Sequence, residues 1–245
     1  MNLKWEIRQN RRKIIIIFVL LILTAIFLAI YFPYYSSMVE SGFIETQPER
    51  FQQEFRLQKN FSYFIASNWF DKNLFEFAGI LAVLLAIGAV ADDQENNLLG
   101  LYFTRYSRWK YFISKVLSHL TVIFISGFIA HLFLIIFSEV SGYDIDFFRF
   151  NIGYLLSFIR FCFIYSTGLL ISTISRNKFL TGAVTFALII GILYLTPDLL
   201  NIFSYMNISS YYCGASFPLS GLLLSSFITV LLFFLYYLRL RKLEL

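Results

Sequence analysis

Three carboxylates stand within four residues at Asp92, Asp93 and Glu95, and four cations follow at Arg105, Arg108, Lys110 and Lys115. Carboxylates this close could in principle hold a metal, but the cluster contains no histidine. The capping reading suits it better: Asp92 starts a short helix, Glu95 reaches back to the cap amide, and both favour the positive end of the helix dipole. His119 and His131 are twelve residues apart, more than three turns of one helix, and too far to share a metal. Each is expected to hydrogen-bond a neighbouring helix instead. Cys162 and Cys213 make no metal-type spacing, so buried thiols and a disulfide are the two readings. Three catalytic signatures are missing: the G-x-x-x-x-G-K-[ST] phosphate loop, H-E-x-x-H and the G-x-S-x-G elbow. The chain therefore does not bind and hydrolyse ATP by the usual phosphate loop. The sequons Asn60-Phe-Ser62 and Asn207-Ile-Ser209 carry no function.

Arg160 is the strongly polar residue deepest in an apolar run. A charge there costs at least about 2.5 to 3.5 kcal/mol on insertion scales, so such residues usually face the bundle interior or a wet cavity. Two readings follow. Arg160 contacts an anionic substrate or headgroup along a transport route, or it pairs with Glu76 or snorkels outward.

The elements that position these groups are membrane spans. Of 245 residues, 58% are hydrophobic, 20% aromatic and only 14% charged, with mean hydropathy +0.70, far above soluble domains. The fold class is an all-α integral membrane protein. Six apolar runs are each near the roughly 20 residues needed to cross: 14–32, 74–91, 112–137, 150–174, 179–196 and 219–238. Residues 1–13 mix Leu3, Trp5 and Ile7 with five cations, which suits an interfacial helix or a solvated basic tail. Residues 33–73 make an outer loop and 92–111 a loop on the opposite side. Ala78, Ala82 and Ala86 recur every fourth position, which lets another helix approach closely. Residues 197–218 form either a re-entrant hairpin or an amphipathic surface loop.

Charge orients the chain. Fourteen of the 20 Lys and Arg residues fall in the N-terminal segment, the 91–115 stretch, the SRNK turn at Ser175–Lys178 and the tail. The positive-inside rule puts all four in the cytoplasm, with both termini. Basic residues arranged this way exclude nucleic acid as a partner.

The 91–115 stretch resembles the loop between the second and third spans of ABC-2 type permeases, subunits of ATP-binding cassette transporters. That loop commonly reads R-E-x-E-x-G-T, then L-L-x-x-P-x-S-R, then a Lys opening the third span. Asp93, Glu95, Leu98 and Leu99 match its start, Ser107-Arg108 its S-R, and Lys115 the final Lys. Asn97 and Leu98 replace G-T, and Arg105 replaces Pro. The resemblance implies an N-terminal interfacial helix, six spans and a coupling helix from Asp92 to Phe103. Asp92, Asp93, Glu95, Leu98, Leu99, Tyr102, Phe103 and Arg108 would then meet a separate cytoplasmic ATP-binding subunit, which binds ATP and magnesium. This chain would carry no cofactor, pair with a second permease copy or a related permease amid membrane lipids, and export a substrate across a prokaryotic cell membrane. An ion-coupled secondary transporter, which would need intramembrane carboxylates, and a membrane enzyme or assembly factor are the alternatives.

Overall fold

A computed structural model of the chain describes residues 8, 10–41, 45, 48, 52, 55–175, 177–190, 208, 211 and 216–243. Among them every regular element is helical. Helix α1 runs Arg11–Glu40, and its buried residues Ile17, Leu21, Ala25, Leu28, Phe32, Tyr35 and Val39 recur at intervals of three or four, with Ala29 beside Leu28 also buried. That spacing lays one face on the bundle. Pro33 lies inside the helix rather than ending a span at Phe32. The proline costs one backbone bond, which membrane helices tolerate where neighbours cover the freed carbonyl.

A continuous helical rod follows from Phe61 to Glu95, through α2 (Phe61–Ile65), a π-helical stretch (Ala66–Asn73), α3 (Leu74–Ala86), a second π-helical turn (Ile87–Ala91) and α4 (Asp92–Glu95). The helix therefore begins inside the stretch assigned to the outer loop. Asn60 supplies the start: its side-chain oxygen accepts from the Ser62 and Tyr63 amides at 2.8 and 3.4 Å, satisfying donors that the first turn leaves open.

The chain then turns at Asn96–Asn97 and continues as α5 (Leu98–Arg105), α6 (Arg108–Ser141), α7 (Phe147–Ile174), α8 (Lys178–Ile190) and α9 (Leu219–Lys242). Side-chain caps mark several starts. Ser107 accepts from the Lys110 amide, Asp146 from Arg149, and Asn177 from Phe179 and Leu180. Gly142 ends α6 at φ 70°, the left-handed position glycine adopts without strain. Tyr143, just beyond it, stacks on Phe61 with ring centres 4.7 Å apart and edges onto Phe32. This aromatic cluster ties α1, α2 and α6 at one end of the bundle.

Helix α7 is the most enclosed of the four long apolar helices, packing against α3, α8 and α9. Lipid is as apolar as leucine, so burial from water does not hold these helices together; close packing and polar pairs do. Small residues bring α3 close to α7. A Cβ on Gly168 would lie 2.7 Å from that of Ala86, and Ala82 and Ala86 are wholly buried. Outward faces stay apolar, with Leu23, Phe27 and Ile30 on α1 and Leu223, Phe227 and Val230 on α9 all exposed.

Among the described residues, α1, α6, α7 and α9 are long and apolar enough to cross a membrane. The second apolar run is α-helical over Leu74–Ala86 and π-helical over its last turn, Ile87–Ala91. The fifth continues past Ile190 outside the described residues, as do most of residues 1–13 and 197–218.

Candidate functional site

The acidic cluster does not cap a helix. Ala91 before it is already helical, Asp92 makes no side-chain cap, and α4 simply continues the rod. The cap comes from a neighbour: the Asn96 side-chain Nδ2 donates to the Asp92 carbonyl at 2.8 Å and to its carboxylate at 3.2 Å. Asn97 then takes φ 55° and ψ 26°, left-handed values at which glycine is at ease and asparagine is the best tolerated other residue. The turn splits the expected Asp92–Phe103 helix into α4 and α5.

Each carboxylate meets a cation on another helix. Asp93 Oδ2 lies 3.0 Å from Lys115 Nζ on α6, with both side chains at most 2% exposed. The Tyr111 hydroxyl, one turn before Lys115, sits 2.7 Å from the same Oδ2 and 2.6 Å from the Ala89 carbonyl in the π-helical turn. The lysine also lies over the Tyr111 ring, 5.5 Å from its centre. Lys178, opening α8, stands 3.6 Å from Glu95 and 3.9 Å from Asp92. Lys13 of α1 interacts electrostatically with Asp92, Asp93, Lys115 and Lys178. Three cations from three helices thus face three carboxylates. The balance matters most at Asp93 and Lys115, where a charge stranded in a dry site would cost several kcal/mol; Asp92, Glu95 and Lys178 are solvent-screened.

Helix α5 lies against this cluster by its apolar face. Leu99 and Tyr102 are buried, while Leu98 and Phe103 are half-buried; Phe103 sets its ring edge-on to Tyr111 at 5.5 Å. Arg108 stacks its guanidinium over Phe103 at 5.1 Å and donates to the Leu243 carbonyl beyond α9 at 3.1 Å. Of the eight residues assigned above to a partner contact, Asp93, Leu99 and Tyr102 therefore point into the chain itself. The open face of the segment is Glu95, Asn96, Asn97, Leu101, Thr104 and Arg105. The apolar face made by Leu99 and Tyr102 turns inward onto the span beneath, leaving Leu101 as the apolar side chain on the open face.

The profile of the ABC-2 family transporter proteins matches residues 3–238. The chain belongs to the ABC-2 family. It is accordingly a multi-pass membrane permease of an ABC transporter, and permeases of this family work with a cytoplasmic ATP-binding subunit. Comparison with curated proteins and with solved structures gives no match. Two loop positions have clear local roles. Asn97 supplies the left-handed turn. Ser107, the serine of S-R, caps the third apolar helix.

Arg160 sits apart from this cluster. Its Nη1 is 2.9 Å from Asp71 Oδ1 in the first π-helical stretch, and Asp71 also accepts from the Ile208 amide at 3.4 Å. The acidic partner is thus Asp71, which the sequence reading placed in a loop; the Glu76 side chain lies outside the described residues. His119 Nδ1 is 2.7 Å from the Tyr165 hydroxyl on α7, whereas His131 stacks between Phe150 and Tyr154 at 4.4 and 4.9 Å. Cys162 is a free thiol, and Cys213 lies outside the described residues. Sequence reasoning missed Tyr111 and Asp71. One signal was available: Tyr111, Lys115 and His119 are spaced by four, a polar stripe down one face of an apolar helix.

Proposed function

We propose that the Asp92–Arg105 segment is the coupling element of an export permease, driven by a separate ATPase subunit that binds ATP and magnesium. What carries this reading is the segment's attachment: it is held on one side by Asp93–Lys115 and on another by Lys178, between apolar helices, with Leu101, Thr104 and Arg105 facing outward. An exposed edge on a firmly mounted short helix can seat in a partner's groove and deliver a push to the spans behind it. Asp92, Glu95, Leu98, Phe103 and Arg108 border that face and complete the docking surface, with Asp93, Leu99 and Tyr102 supporting it from beneath. The fold has six spans, with the rod from Phe61 supplying the second and α8 opening the fifth. Both termini lie in the cytoplasm, the first residues on the inner leaflet. Two such chains, alike or related, enclose the pathway in a prokaryotic plasma membrane.

Arg160 lies along the outer half of that pathway, its guanidinium held by Asp71 until cargo displaces it. Substituting Arg160→Leu separates this role from a purely structural one. Loss of transport with normal membrane accumulation supports it, and failure to accumulate refutes it.

The test of the coupling role is affinity purification of the tagged chain from its native membranes. An ATP-hydrolysing subunit should co-purify with the wild-type chain and be depleted with L101D/R105E. Equal recovery with both, or no such subunit with either, would refute the proposal.

A further inference from the structure

The buried cluster at Asp93 has no surface to offer a partner, yet it joins two elements that are 22 positions apart in sequence, Asp93 and Lys115. Tyr111 strengthens the joint in a specific way. Its single hydroxyl proton lies within reach of both the Asp93 carboxylate and the Ala89 carbonyl and is shared between them, so one side chain touches α4 and the π-helical turn that precedes it. A π-helical turn is the weak place in a helix, where the backbone ladder is widened and a bend is easiest. Here it lies directly between the α3 span and the acidic segment. Left alone, a push on α5 would be absorbed there. Pinned to α6 by a hydrogen bond and an ion pair, it passes the push on to α6 instead.

We propose that Asp93, Tyr111 and Lys115 are positioning residues that make the Asp92–Arg105 segment and the first half of α6 one mechanical unit. Movement of the segment is then delivered to the third span directly, and the π-helical turn does not act as a hinge. The geometry stands independently of any partner, while its use in transport rests on the coupling role proposed above.

Spin labels at Thr104 and Ile125 test this in a cysteine-free background (C162A, C213A), using the complete transporter in lipid nanodiscs. Both positions are exposed, on α5 and α6 respectively. In the wild-type chain the 104–125 distance should be narrow and hold its centre to within about 2 Å between the nucleotide-free and ATP–vanadate states, the scale of ordinary helix shifts. A larger shift would overturn the proposal without any variant being needed. K115M should broaden the distribution in the absence of nucleotide, K115R should restore it, and Y111F, which removes only a hydroxyl, should broaden it partway. Distributions matching the wild type in both K115M and Y111F would overturn the clamp. A control pair at Thr104 and Leu155 on α7 reports whether nucleotide moves anything. If it stays fixed, the coupling role fails while the nucleotide-free variants still decide the clamp.

Discussion

Replacing Lys115 by Met keeps most of the stem that packs in the bundle and deletes the ammonium. The Asp93 carboxylate is then left at 2% exposure. At 3.0 Å and an effective dielectric of about 20, the lost attraction is about 5 kcal/mol. Desolvation has already consumed several kcal/mol per ion in forming the pair, so the intact pair adds little net stability. Breaking it from one side is another matter, and costs roughly 3 to 5 kcal/mol because one charge stays buried. Asp93→Leu should cost a similar amount by stranding Lys115. D93L/K115M, with both charges gone and Tyr111 still on the Ala89 carbonyl, should be more stable than either single variant. Equilibrium unfolding in mixed detergent–SDS micelles supplies the four free energies of this cycle. If the double variant loses the sum of the two single losses, the residues do not interact and the clamp is refuted.

Three further outcomes follow from packing. Gly168→Ala puts a Cβ 2.7 Å from that of Ala86 and should cost about 1 to 3 kcal/mol by overpacking, while Gly168→Leu should prevent accumulation in membranes, read by quantitative blotting. Asn97→Gly should leave the unfolding free energy nearly unchanged, whereas Asn97→Val, forced into a left-handed backbone, should lose about 1 to 2 kcal/mol. Leu101→Asp, on the open face, should stay within about 0.5 kcal/mol of the wild type yet shift the ATPase rate of the complex toward that of the subunit alone. Leu99→Asp, on the buried face, should reduce the yield of folded protein.

Some of this was legible in the sequence for clear physical reasons. A run such as Ile14–Phe32 announces a span because nothing else tolerates so many consecutive apolar residues, and the polar stretch at Ala91 stood out against its apolar flanks. Asn97 stands where the resemblance puts Gly, and its backbone takes the left-handed values that glycine adopts most easily. Other features were hidden because they arise between elements. Nothing in local spacing says that Asp93 and Lys115 meet, and each by itself reads as a surface charge near a membrane. The inward turn of Leu99 and Tyr102 depends on which side of α5 the bundle lies, which periodicity cannot supply. Ala66–Asn73, with its Asn, Asp and Lys residues, reads as loop. It is helical because Trp69 and Phe70 are buried and Asp71 is taken up by Arg160.

The proposed role of this segment is to couple a partner's ATP hydrolysis to the spans behind it. Reconstituting the wild-type chain and its co-purified ATPase subunit in proteoliposomes, beside the L101D/R105E variant, tests that most directly through the rate of ATP hydrolysis. The wild-type chain should change the rate relative to the ATPase subunit alone, and the variant, folded and inserted, should not. Equal rates for the subunit alone, with the wild-type chain and with the variant would contradict it.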